Sequence, residues 1–402
     1  MINKVNKSII IFAVFAFGFF ISNLLRSITA TLAPVLTNEF NLTAGNLGLL
    51  AGGYFLGFSL MQIPAGLLLD KYGPKKVVAY LLLIALVATI SFAFAKNFTS
   101  LLISRFFIGV GVSACLMGPL TGYRLWFKEK YQQRANSWML MVASFGFVTS
   151  TLPVQILLPM IGWRSIFLLI VFLILLSVIL ILLFTPNWQT EKKIENYSIT
   201  GGLTEIWKNK FFISLIPIAF FNYGGVQAMQ TLWAGPWMLN VTGFSPLASA
   251  IGLFWINITM LFGFLVWGYL LPKFSAYGID SMKIVKIGLP FSYIIFFLII
   301  IMGPKAGTSM FALYILSSIV LSLTQPAVAL NFPKQLAGKS LTSFNVFIHS
   351  GTFFVQWGIG LIIDYCKNIG FDTVLSYKIS FFVFLVICIL SYLFFIFKNK
   401  IN

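Results

Sequence analysis

The sequence predicts an all-α membrane protein: twelve transmembrane helices in two six-helix bundles, each built from inverted three-helix repeats. Three observations carry that fold class. Of 402 residues, 59% are hydrophobic and only 9% charged, against about 25% charged in a soluble domain. Apolar runs long enough to cross a bilayer recur at 9–33, 46–69, 76–95, 98–127, 135–159, 164–185, 211–238, 246–271, 284–303, 307–331, 341–364 and 374–397. A single long polar segment, 186–210, parts those runs six and six. The expected organisation is therefore an N-terminal bundle (1–185), a cytoplasmic linker (186–210) and a C-terminal bundle (211–402).

The first run follows the basic start "MINKVNKS" but is too long for a secretory signal, so it counts as the first span. The net charge of +18 would suit a nucleic-acid binder, but its distribution argues otherwise. With the amino terminus placed inside, 20 Lys and Arg residues fall at cytoplasmic ends or loops and five outside, while Arg26 and Arg105 lie within spans. That is the positive-inside bias; the basicity reports orientation, and no nucleic-acid partner is expected. Cys115, Cys366 and Cys388 stand singly, and one His in the chain leaves no metal-ligand cluster. No metal and no cofactor are expected.

The linker "PNWQTEKKIENYSITGGLTEIWKNK" carries Pro186, Gly201–Gly202 and mixed charges. No other loop could form a soluble motor domain. The "LAGKS" at Leu336–Ser340 fails as a phosphate loop, since its required upstream glycine is Pro333. A fainter symmetry is more informative. "QIPAGLLLD" (Gln62–Asp70) ends the second span and "QWGIGLIID" (Gln356–Asp364) the eleventh, both reading Q-x-x-x-G-L-x-x-D. By the span count these run in opposite directions, the trace an inverted repeat leaves in secondary transporters.

Between the second and third spans stands "GLLLDKYGPKK" (Gly66–Lys76). Gly66 permits close helix approach, Asp70 ends its span at the inner surface, and Gly73–Pro74 break the helix. Lys71, Lys75 and Lys76 pin the loop to anionic headgroups. The lysines need no more than a topogenic role, whereas an acid at Asp70 works against the local charge bias. This G-x-L-x-D-x-x-G-x-K-K stretch resembles the signature loop of the major facilitator superfamily. "RFFIGVG" (Arg105–Gly111) is similar to that family's R-x-x-x-G-x-G in the fourth span, and "GWRSIF" (Gly162–Phe167) to the opening of its sixth. The resemblance implies two bundles and a gating role for Asp70, with Gly66, Gly73 and Lys76 in the same loop. "GFVTSTLP" (Gly146–Pro153) echoes the family's antiporter pattern only in part. The seventh-span "QTLWAGPW" and the second-span "YFLGFSLMQIPAGLLLD" resemble a bacterial branch often labelled nitrate/nitrite-type, distantly similar to lysosomal dipeptide carriers.

In that family the first, fourth, seventh and tenth spans line the central cavity, and two of these carry the deep charges. A central arginine costs about 2.5–3.5 kcal/mol on insertion scales, so it should have a reason. Arg26 lies about 12 Å from the outer end of its span at 1.5 Å per residue, with Arg105 at comparable depth. Two cations at one level call for an anion; the alternative is snorkelling or pairing with backbone carbonyls. The seventh span offers Gln227, Gln230, Trp233 and Trp237 at helical spacing, so they are expected to share a face, although tryptophans also favour the membrane interface. The eleventh offers a stripe of Asn345, His349, Thr352 and Gln356, suited to ligand contact or to interhelical hydrogen bonds. Expected substrate contacts are Arg26, Arg105, Gln227, Gln230, Trp233, His349 and Gln356.

All nine acids fall in loops or near helix ends, and His349 is the one mid-span group that titrates near neutrality. Gradient-driven facilitated transport is the first expectation and proton coupling through His349 the second. The expected function is a secondary transporter moving a small anionic or zwitterionic solute (an amino acid, short peptide or organic acid) by alternating access. The alternative is a proton-coupled efflux carrier for drugs or hydrophobic metabolites. The expected setting is the bacterial inner membrane, with both termini cytoplasmic and the monomer as the working unit. An intramembrane enzyme would need a nucleophile with a base, or paired acids, at membrane depth; neither is present.

Overall fold

The computed structural model describes residues 4–127, 129–187, 202–277 and 280–400. Positions 188–201 of the expected linker lie outside the described residues. Among the described residues there is no strand, as a chain with so little polar surface requires: in lipid, a helix is what satisfies every backbone group within one segment. Ten helices are long and apolar enough to cross a membrane. They are α1 (Ser8–Phe40), α2 (Ala44–Ala93), α3 (Phe98–Tyr123), α4 (Met141–Phe184), α5 (Lys210–Asn240), α6 (Pro246–Leu270), α7 (Ser281–Lys305), α8 (Thr308–Leu330), α9 (Leu336–Asn368) and α10 (Thr373–Lys398).

The expected twelve spans are recovered because α2 and α4 each hold two. Gly73 interrupts α2 at φ 77°, ψ 162°, and Gly162 interrupts α4 at φ 75°, ψ 161°. Both lie in a region that only glycine enters without strain. The chain reverses at Gly73. Gly53 meets Leu102, Gly57 meets Phe106 and Gly118 approaches Leu69, so the first arm of α2 runs parallel to α3. Gly111 meets Ala85 and Gly118 meets Val78, so the second arm runs antiparallel to it. Two loops of the same conformation, each preceding a basic residue within two positions (Lys75, Arg164), are what a repeated three-helix unit would leave.

The structure divides into two compact units, Met1–Ile28 with Gly53–Gly201, and Thr29–Gly52 with Gly202–Asn402. In the first, α2 and α3 approach backbone to backbone: a Cβ on Gly109 would overlap the Tyr54 carbonyl, and one on Gly57 the Phe106 carbonyl. Phe92 and Phe167 stack at 4.3 Å between ring centroids, tying the second arm of α2 to that of α4. In the second unit, Phe212, Leu215, Val285, Leu289, Val328 and Phe344 form a buried core joining α5, α7, α8 and α9. Large apolar side chains such as Val87, Leu183 and Phe397 stay exposed on the helices, where a bilayer covers them.

Candidate functional site

The first unit holds both deep arginines. Arg105 on α3 is fully buried. Its Nη1 donates to the Leu25 carbonyl at 2.8 Å, and its guanidinium carbon lies 5.3 Å from the Tyr54 ring centroid. The Tyr54 hydroxyl donates in turn to the Ser22 carbonyl at 3.1 Å, fixing the ring under the cation. Nε and Nη2 of Arg105 are buried with no hydrogen-bond acceptor. Arg26, the residue after Leu25, is half-buried. Its guanidinium carbon sits 4.9 Å from the Phe58 centroid and 5.9 Å from that of Phe55, and its Nε is buried without an acceptor. Aromatic faces stabilise a cation by about 0.5–2 kcal/mol, less than hydration does. Beside Arg26, Ser27 and Ser150 share a hydrogen bond at 2.6 Å, which ties α1 to the first arm of α4. The two arginines therefore stand at one level, and buried N–H groups on both are unmatched. Of the two expected uses, Arg105 takes the structural one through a single bond to a carbonyl; the rest of its fork is open.

The second unit gathers uncharged polar groups. Thr352 Oγ1 on α9 donates to Gln227 Oε1 on α5 at 3.2 Å. Gln356 Nε2 donates to Thr231 Oγ1 at 3.0 Å, and Trp233 Nε1 donates to the Gln356 carbonyl at 3.1 Å. Gln356 is fully buried, and its Oε1 has no donor. His349 is buried two turns away on the same helix, and Asn345 accepts from Gln325 Nε2 at 2.8 Å. Much of the α9 stripe thus serves interhelical bonding.

The shared face expected on the seventh span is split. Gln227 turns to α9, whereas Gln230 donates its Nε2 to Asn257 of α6 at 2.9 Å. The reason is backbone geometry: Ile218–Tyr223 and Met229–Trp233 are π-helical, so 3.6-residue spacing does not hold across them. Such segments are rare and cluster at functional sites. Trp237 is fully buried, stacks on Phe381 at 4.7 Å and donates to the Ala306 carbonyl at 3.0 Å.

At the signature loop, Asp70 and Lys76 are exposed and Lys75 donates to Asn187 Oδ1 at 3.1 Å. Gly73 supplies the reversal described above. The close helix approach expected at Gly66 is not made: nothing lies within 4 Å of a Cβ built there. The tight approaches fall instead at Gly57, Gly109 and Gly111, where α3 passes. Asp364, absent from the expected site, holds backbone N–H groups of Ala44 and Gly45; the signal for it was the repeated Q-x-x-x-G-L-x-x-D.

The sequence matches the Major Facilitator Superfamily profile across residues 15–356. The chain belongs to the major facilitator superfamily. The curated relatives are transporters. It is 26% identical over 287 residues to the uncharacterized transporter YybO of Bacillus subtilis, covering 65% of each chain. It is 28% identical over 167 residues to a probable sulfoacetate transporter of Cupriavidus necator, covering 42% of this chain and 39% of that one. The niacin transporter NiaP of Acinetobacter baylyi is 30% identical over 154 residues, 38% of this chain and 34% of its own. The chain thus spans less than two thirds of the length of these relatives. In fold it is similar to a crystallised bacterial homologue of the human lysosomal transporter Spinster, with TM-score 0.77, 15% identity and coverage of 98% and 97%. It is likewise similar to a D-xylose–proton symporter, with TM-score 0.78, 14% identity and coverage of 96% and 97%.

Proposed function

We propose that this protein is a secondary transporter that carries a small organic anion, or a zwitterion presented by its carboxylate, across the bacterial inner membrane by alternating access. The observation that carries the reading is the arginine pair: buried N–H groups on Arg26 and Arg105 without acceptors and two positive charges with no carboxylate partner among the described residues. An unmatched buried donor costs about 1–3 kcal/mol, more when charged; a carboxylate or sulfonate arriving there removes that cost. Arg26 is the substrate-facing member, because it is half-buried and the Phe55 and Phe58 rings lie against its charge, while Arg105 sets the local potential and orients α1 through Leu25.

The names of related proteins point the same way. Sulfoacetate and niacin (above), 4-hydroxybenzoate in PcaK of Acinetobacter baylyi and tartrate in a putative carrier of Agrobacterium vitis are organic acids or their salts. Efflux of hydrophobic cations is disfavoured, since the first unit meets its ligand with like charge.

The test is uptake by the purified protein in liposomes from a radiolabelled panel: nicotinate, 4-hydroxybenzoate, sulfoacetate, tartrate, amino acids, dipeptides and a lipophilic cation. An anion or carboxylate-bearing zwitterion should be taken up above protein-free liposomes and lost in Arg26→Ala. Stronger uptake of the lipophilic cation would overturn the reading.

A further inference from the structure

The end of α1 and the start of α2, Thr29–Gly52, belong to the second unit, and one contact that holds them there is unusual. Thr43 is the local cap of α2: its carbonyl accepts from Leu47 at 2.9 Å, and its Oγ1 accepts from the Asn46 N–H at 3.2 Å. The next two donors of the first turn are met from 320 and 319 residues away. Asp364 Oδ1 accepts the N–H of Ala44 at 2.9 Å and Oδ2 that of Gly45 at 2.8 Å. A helix start needs acceptors for its first donors, and a carboxylate there also meets the positive end of the helix dipole. Water would serve that need at a membrane surface. A bidentate carboxylate carried by α9 does something more: it fastens one helix to another.

The surface beneath the carboxylate is built for close contact. Gly45, Gly48 and Gly52 recur along one side of α2 and face, in antiparallel order, Leu361 with Asp364, then Gln356, then Phe353. A Cβ on Gly48 would overlap the Gln356 carbonyl, and one on Gly360 the Ala44 carbonyl. The backbones touch directly at Gly48 and Gly360, while the Leu361 and Phe353 side chains lie against Gly45 and Gly52. Asp364 itself is half-buried and can rehydrate as it leaves. The strength of a charged helix cap, equivalent to about tenfold in an equilibrium constant, is neither permanent nor negligible. That is the range a two-state gate needs.

The sequence repeats the device. Gln356–Asp364 on α9 matches Gln62–Asp70 on α2, and Asp70 lies at the other end of α2's first arm, exposed beside the Gly73 reversal. We infer that Asp364 is a positioning residue of the transport cycle: its carboxylate latches the start of α2 and weights the carrier toward the state closed at that end. The inference rests on the alternating-access reading above but not on the substrate class. Asp364 touches no substrate; it acts through the position of α2, whose first arm carries Phe55 and Phe58 beneath Arg26.

The experiment is hydrogen–deuterium exchange by mass spectrometry on the full chain in lipid nanodiscs, wild type against Asp364→Asn and Asp364→Glu. No substrate is needed, so failure of the latch and failure of the anion assignment are read separately. In Asp364→Asn the 43–53 segment should exchange about tenfold faster, and the 66–80 segment at the far end of the arm should become slower as the population shifts. Asp364→Glu, which keeps the charge, should return part of the protection. Unchanged exchange at 43–53 would overturn the inference. Faster exchange at 43–53 with no slowing at 66–80, or faster exchange throughout, would also overturn it, because either outcome marks Asp364 as a structural cap alone.

Discussion

The two units carry opposite kinds of polar interior. In the first, Arg26 and Arg105 hold charge and leave buried N–H groups without acceptors. In the second, Gln227, Thr231, Thr352 and Gln356 carry no charge and have found each other. The difference teaches where ligand binding energy can come from. A polar group already bonded within the protein gains little from a ligand that must first break that bond. An unsatisfied guanidinium gains the full pairing. On the proposed reading anion recognition belongs to the first unit, while the second holds uncharged ties around α5, whose π-helical segments lie beside those bonds.

That comparison is broken most directly at Arg26. Truncating one partner of a close charge pair costs about 2–5 kcal/mol, or roughly 30- to 5,000-fold in affinity. Arg26→Ala should abolish measurable uptake of the anion while purifying as a folded monodisperse protein. Arg26→Lys, which keeps the charge but loses the planar fork, should retain part. Normal uptake by Arg26→Ala would remove the assignment.

A smaller effect is expected in the second unit. Gln356→Leu leaves Thr231 without its Nε2 donor and removes one tie between α5 and α9, at about 1–3 kcal/mol of stability. Its signature should be a lowered melting temperature with KM for the anion changed by less than about threefold, far below the Arg26 loss. A change in KM as large as that of Arg26→Ala would show the amide row to be a binding surface equal to the arginine pair.

Much of the fold was legible in the sequence because it follows from composition. Lipid leaves few options for an apolar chain, so spans, their number and the reversals at Gly73 and Gly162 could be read from hydropathy and helix breakers. The arginines were legible for the same reason: charge inside an apolar run is conspicuous. What was not legible depends on packing. The π-helical stretches of α5 flank a turn where Gly224 crowds Gly351 and Thr352 and Gly225 crowds Phe384, contacts between residues more than a hundred positions apart. They split Gln227 from Gln230 although the spacing placed both on one face. Gly66 shows the converse error, since a glycine in an expected motif met no neighbour. Asp364 was visible as half of a repeat, but its grip on α2 needed three dimensions.

The smallest expected effect is at His349, and it concerns coupling. Every acid lies near a helix end or in a loop, so the membrane interior holds one group that titrates near neutrality. His349 sits on the neutral side of the comparison, buried in α9 between Asn345 and Thr352. If protons drove transport, this ring would have to gain and lose charge within a row of uncharged amides and hydroxyls. An anion that neutralises the arginine pair can instead move down its own gradient with no proton carried. We expect His349→Gln, which keeps hydrogen-bonding capacity without the titration, to show the wild-type dependence of uptake on an imposed pH gradient. Loss of pH-driven accumulation in that variant, with anion exchange at zero gradient intact, would place the coupling proton on His349.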